Sequence, residues 1–182
     1  MTEFQQVAGQ HGDGVVDAWV PQGLLDLDPA TAFPSVEIQG LTPVRLAWHR
    51  GCLREPKPLT ADQTPPSRIV LPRLVDCHVH LDKAYTWQEY PNLSGSYEGA
   101  LNANLQEHNT RTVASVCQRG ERALERAFGH GLRAMRSHVD SGGPGAEPSW
   151  EALLTLQQRW RSRIEMQLVA LVPLAFWSSA EA

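Results

Sequence analysis

Leu71-Pro72-Arg73-Leu74-Val75-Asp76-Cys77-His78-Val79-His80-Leu81-Asp82-Lys83 is the stretch that decides the fold. A short apolar run closes on two histidines one residue apart. Side chains alternate across a β-strand, so His78 and His80 project to the same side. Two imidazoles at one strand end are well placed to grip a single divalent metal ion. On strict alternation Leu74, Asp76, His78 and His80 share one face. Val75, Cys77, Val79 and Leu81 take the other, where Cys77 is expected as a small core residue.

Upstream, residues 1 to about 13 read as a loose polar tail. Val15–Leu27 and Val44–Leu53 alternate apolar and polar residues, with Gly40 and Gly51 as turn signals, and read as strands of a small antiparallel unit. Pro56, Pro58, Pro65 and Pro66 make Glu55–Ser67 an irregular connection. Downstream the rhythm changes. A strand over Ile69–His80 is followed by a long segment with a short helix near Tyr97–Gln106. An amphipathic helix follows over Thr112–Phe128, capped by Thr112 and stopped by Gly129 and Gly131. A second strand spans Leu132–Val139, and a glycine-rich loop spans Ser141–Gly145. A helix with Pro148 in its first turn runs to about Arg163. A third strand, Gln167–Leu174, is apolar enough to be buried on both faces. Strand and helix alternation of this kind implies a parallel sheet with right-handed crossovers. The expected division is residues 1–67 for the tail and β unit, and 68–182 for the α/β part.

At 182 residues the chain is long enough for a real core, and its net charge of −4 gives no electrostatic reason to expect nucleic acid or an anionic membrane. The longest apolar run, Leu168–Trp177, is broken by Pro173 and is well short of the roughly 20 residues a membrane helix needs. The N-terminus lacks the layout of a signal peptide, and three cysteines offer no paired spacing. A cytoplasmic protein without a disulfide framework is the expectation.

The second strand repeats the chemistry of the first. Arg136, His138 and Asp140 share one face, and Met135, Ser137 and Val139 the other. In parallel α/β folds ligands bind at the C-terminal ends of strands, so two strands deliver histidine and carboxylate to one end of the sheet. A divalent ion held there lowers the pKa of bound water from about 15.7 toward about 7. Plainer readings stand beside this one. His138 also reads as a hydrogen-bonded histidine capping its strand. Asp82 also reads as the anchor of a turn with Lys83 as its ion-pair partner, and Arg136 as a partner of Asp76 or Asp140. His11, His49, His108 and His130 read as surface residues, and Trp87 as a loop residue within reach of a pocket. The glycine loop matches no phosphate-binding fingerprint, although an open α/β domain binding a small ligand without metal keeps the same sheet.

The run Leu71–Lys83 resembles the first-strand signature of the amidohydrolase superfamily, in particular its cytosine deaminase-like metal-dependent hydrolases. Ser94-Gly95, Arg136-Ser137-His138-Val139-Asp140 and Gln167-Leu168-Val169-Ala170 add to the likeness, and residues 36 to 180 follow the family's order of elements. The resemblance implies a (β/α)₈ barrel of TIM type preceded by a small β-sandwich segment. It implies His78 and His80 as ligands of Zn²⁺ or Fe²⁺, and His138, Asp140, Asp82 and Lys83 at a substrate pocket. The reaction implied is hydrolytic deamination of a small cyclic amidine or amide. Two features depart from the pattern. Arg73 replaces a common glycine, and Pro173 and Leu174 stand where cytosine deaminases present a base-reading glutamine.

A barrel of this type needs about 250 residues. The expectation is therefore a fragment holding the first three strands, with no catalytic acid–base residue of its own and inactive alone. The partners left open are a second copy of the chain or a complementing C-terminal chain. The alternative is a non-catalytic module that binds metal or a partner and derives from such an enzyme.

Overall fold

The computed structural model describes residues 12–25, 40–60 and 62–178. The tail expected before residue 12, and the far end of the strand expected to reach Leu27, lie outside them. The chain divides into two compact units, Met1–Pro72 and Arg73–Ala182.

The first unit is a four-stranded antiparallel sheet built on β1 (Gly14–Pro21) and β2 (Leu41–His49). Two short strands, β3 (Cys52–Leu53) and β4 (Lys57–Pro58), also pair with β2. The β2–β3 hairpin turns through Arg50 and Gly51, both at positive φ, as a two-residue hairpin loop requires. Alternation on the two long strands puts Val20, Val44 and Leu46 into one small core.

The first unit also corrects the expected strand Ile69–His80. Trp19 donates its backbone N–H to Arg68 and accepts from Val70, each at 2.9 Å, so Ile69 lies parallel to β1. Pro72 has no N–H to continue a ladder. The strand of the second sheet, β5, covers only Leu74–Val79.

The second unit is an α/β layer. Parallel strands β5, β6 (Leu132–Asp140) and β7 (Glu165–Leu171) lie in chain order. Helix α1 (Tyr97–His108) is longer than expected. Helix α2 (Val113–Gly129) begins at Thr112, which forms a reciprocal capping box with Ser115. Helix α3 (Ala146–Trp160) carries Pro148 in its first turn. The core is one layer between helices and sheet: Val116 and Leu124 of α2, Ala152, Leu153, Leu156 and Trp160 of α3, and Met135, Val139 and Met166 of the strands. On β6 the residues facing this core are Met135, Ser137 and Val139, as alternation requires. Strand β7 differs from expectation. Met166 is buried, but Val169, Ala170 and Leu171 are exposed, because β7 is an edge strand with helices over one face only. Among the described residues no helix is long and apolar enough to cross a membrane.

Candidate active site

The face that the two histidines share is set by an irregularity in β5. Asp76 pairs with Met135 and Val79 with Ser137, so three steps along β5 match two along β6. One extra residue is a β-bulge, the device by which strands re-aim side chains. Asp76 holds it locally, its carboxylate Oδ1 accepting the backbone N–H of His78 at 3.1 Å. Met135 and Ser137 are both buried on the helix side, so Asp76 and Val79 take that side. His78 and His80 turn to the open face with His138. Asp76 therefore does not share the histidines' face, and Cys77 is exposed rather than a core residue. Strict alternation fails at the bulge.

Nε2 of His78 lies 3.3 Å from Nε2 of His80. Nδ1 of His80 lies 2.8 Å from the His138 carbonyl. A carbonyl only accepts, so the His80 proton sits on Nδ1 and its Nε2 presents a lone pair. Burial, and then the Lys83 ammonium, pull His80 below the usual imidazole value against the His138 carbonyl, Asp82 and Asp140. The ring is thus neutral near pH 7, the form that binds metal. Zinc–nitrogen bonds of about 2.1 Å at a tetrahedral angle separate two nitrogens by about 3.4 Å, and the pair fits that spacing. Among the described residues no third histidine, cysteine or carboxylate completes a cluster with it.

Behind the strand ends lies a buried ionic node. The guanidinium of Arg111, wholly buried, donates to Glu107 at 2.7 Å, to Asp82 at 3.0 Å and to Ser149 at 3.2 Å. Contacts at 3.4 Å reach Asp140 and Asn104. Arg119 joins Glu107 at 2.7 Å and the Asp82 carbonyl at 2.8 Å. Asp82 Oδ2 also accepts the Asp140 backbone N–H at 3.0 Å. Asp82 is fully buried within this node and pairs with Arg111, not with Lys83.

Lys83 reaches instead to Asp140, at 3.0 and 3.1 Å from its two oxygens. Burial pushes the Asp140 carboxyl up, but Lys83, Asn104 and Arg111 together outweigh it and hold the group below the usual carboxylate range. An ionised carboxylate clamped by an ammonium is a poor proton acceptor near neutral pH. Asp140 accordingly orients Lys83, which keeps a quarter of its side chain exposed.

Other expectations resolve one by one. Arg136 bonds Gln167 of β7 at 2.9 Å, its register partner, and neither Asp76 nor Asp140. His108 is buried, not a surface residue; its Nε2 lies 2.7 Å from the Gly142 carbonyl and anchors the glycine loop. His49 pairs with Asp13, His130 is exposed, and His11 lies outside the described residues. Trp87 is exposed in the long loop. Arg111 and Glu107 carried no signal beyond their i,i+4 spacing, which in sequence reads as a solvated helix end.

Parallel strands with two histidines meeting at their C-terminal ends define an α/β unit. Comparison with known proteins gives the particulars. Over 109 residues the chain is 37% identical to a pterin deaminase of Rhizobium rhizogenes (strain K84 / ATCC BAA-868), covering 59% of this chain and 25% of that protein. Its fold matches 5-methylcytosine deaminase from Klebsiella pneumoniae liganded with 5-fluorocytosine at a TM-score of 0.63 and 21% identity. That match covers 86% of this chain and 36% of the other. The same enzyme liganded with phosphonocytosine matches equally, at 0.63 over 85% and 36%. No family model matches the chain. The chain thus resembles one deaminase in sequence and another in fold. The chain spans about a quarter of the length of the curated relative it matches.

Proposed function

We propose that this chain forms the first three strands, with their helices, of a (β/α)₈ hydrolase that deaminates a small cyclic nitrogen compound. The observation that carries the reading is the 3.3 Å approach of His78 and His80 Nε2 at the C-terminal end of a parallel sheet. In this reading the two nitrogens hold Zn²⁺ or Fe²⁺. Such an ion supplies Lewis-acid activation of water and of the carbon–nitrogen centre. The chain's own groups then have definite tasks. The bulge anchored by Asp76 aims both rings, and the His138 carbonyl keeps Nε2 of His80 unprotonated. Lys83, clamped by Asp140, presents a cation to the same end of the sheet, suited to a ring carbonyl of the substrate. Asp82 acts from below, through Arg111 and the backbone of Asp140. The sequence likeness to a pterin deaminase, and the absence of an amide at Pro173 and Leu174, favour a pterin-like ring over cytosine. The acid–base residues lie outside residues 1–182 in this proposal, so the chain alone binds metal without turning substrate over.

The test is metal content after loading with Zn²⁺ and desalting. About one ion per chain is expected, and none in His78→Ala or His80→Ala. Metal retained unchanged by both variants would sink the reading. Metal held by a polypeptide that carries the later strands, without ammonia release from pterin or cytosine, would favour the non-catalytic module instead.

A further inference from the structure

We infer that His138 is a positioning residue and not a metal ligand: its ring fixes the plane of His78 while its backbone carbonyl fixes the tautomer of His80. The inference rests on the metal reading of His78 and His80 and goes beyond it, since it assigns the third histidine of the group.

Geometry separates the two roles. The rings of His78 and His138 are stacked, with centroids 4.0 Å apart and planes inclined by 18°. A ligating nitrogen directs its lone pair within its own ring plane, toward an ion about 2.1 Å away. Two rings that lie one above the other in nearly parallel planes cannot both point at one ion over that distance. The His78 and His80 rings, at 67° to each other with Nε2 atoms 3.3 Å apart, can. The His80 and His138 rings lie 6.0 Å apart and tilted at 50°. Nδ1 of His138 is buried, with no hydrogen-bond partner among the described residues.

What His138 does touch is both members of the pair. Among the described residues the His78 ring makes one hydrogen-bond contact, with His80. Beyond that contact, it is the flat face of His138 that sets its plane. The His138 carbonyl accepts from Nδ1 of His80, the arrangement by which metal-binding histidines are held in one tautomer. Strand β6 supplies both contacts from a single residue because His138 lies in the middle of a continuous ladder with β7, paired with Val169. The irregularity lies in the pairing of β5, whereas β6 is regular against β7.

Substitution at this residue separates ring from carbonyl, since the carbonyl survives any side-chain change. His138→Phe keeps a flat ring without nitrogens; His138→Ala removes the ring. Zn²⁺ affinity is measured by competition with a chromophoric chelator on the full 182-residue chain, with thermal unfolding run on each variant. Loss of such supporting contacts typically weakens metal binding 10- to 100-fold. The expectation is that Phe binds within about twofold of the parent and Ala about tenfold more weakly, at matched unfolding temperatures. If Phe abolishes binding as His78→Ala does, His138 is a ligand and the inference is wrong. Unchanged affinity in Ala also overturns it. A second readout needs no metal. Ring-proton NMR shifts of His78 should keep their stacked position in Phe and lose it in Ala, and long-range ¹H–¹⁵N spectra should show His80 protonated at Nδ1 in all three proteins. His78 shifts that ignore the Ala change, or His80 protonated at Nε2, overturn the positioning role. A parent chain that takes up no Zn²⁺ would instead overturn the functional proposal, leaving these spectra to decide the positioning role on their own.

Discussion

Arg111 directs its guanidinium at groups from four segments: Glu107 and Asn104 of α1, Asp82 after β5, Asp140 at the end of β6, and Ser149 of α3. Burial alone would lower its pKa, yet Glu107, Asp82 and Asp140 hold it above its usual value, so the cation is secure. A buried pair is weak evidence for net stability, but breaking one leaves an uncompensated charge, at a cost of about 3–5 kcal/mol. Arg111→Met is therefore expected to destabilise the chain by about that amount, read from the urea midpoint at unchanged slope. Arg111→Lys should recover only part of it, because one ammonium cannot serve partners spread around a planar fork. A midpoint unmoved by Arg111→Met would mean that Asp82 and Glu107 find water in the native chain. Sequence could not have disclosed this node. Arginine and glutamate are rarely fully buried unless paired, and pairing across 29 residues leaves no local trace. His108 escaped for the same reason. Its partner, the Gly142 carbonyl, is 34 residues away and belongs to the backbone. The histidine pair was legible because its members are two residues apart, where local geometry suffices.

Elements were most legible where a local signal recurs. Thr112 announced the start of α2, and the apolar spacing Val113, Val116, Leu124 gave its buried face. Edges and irregularities were not legible. The apolar run of β7 reads as a strand covered on both sides, and only the strand order shows that it lies at an edge. The bulge in β5 depends on its register against β6, a relation between segments that no period within either one contains. One element boundary makes a sharp test. Gly145, immediately before α3, has φ −83°, a conformation open to any residue. A Cβ built there would nevertheless run into the His108 carbonyl oxygen and meet the imidazole at 2.8 Å. Conformational entropy favours alanine by about 0.4–1 kcal/mol at an unstrained site, whereas forcing an extra carbon into a packed contact costs about 1–3 kcal/mol. The obstacle is backbone and cannot swing away, so overpacking wins, and Gly145→Ala should destabilise by about 1–2 kcal/mol in chemical denaturation. A stabilised variant would show that α1 and the glycine loop yield easily, against the clamp assigned to His108.

At the scale of the whole molecule, the two units differ in how much core each owns. Among the described residues the second gathers eleven buried residues, from two helices, the sheet, the turn at Leu81 and Ile164 ahead of β7, into one cluster with further side chains packed around it. Among the described residues, the core cluster of the first rests on Val20, Val44 and Leu46, with Val16, Leu25 and Val70 only partly covered. Sequence conveyed the change from antiparallel strands to strand–helix alternation. It placed the change near residue 68, whereas the structure divides after Pro72, because Ile69 adds a rung beside Trp19 before proline ends the pairing. Opening free energy follows the apolar contacts an element must give up, and each buried aliphatic or aromatic side chain contributes about 1.5–3 kcal/mol. Native-state hydrogen exchange on the intact chain should therefore resolve two tiers. Amides of α2, α3 and β6 should open together at the higher free energy. Those of β1 and β2 should open several kcal/mol lower, even though their ladder is regular over eight residue pairs. Equal protection in both tiers would contradict the argument, since it would require the small sheet to unfold only when the larger core does.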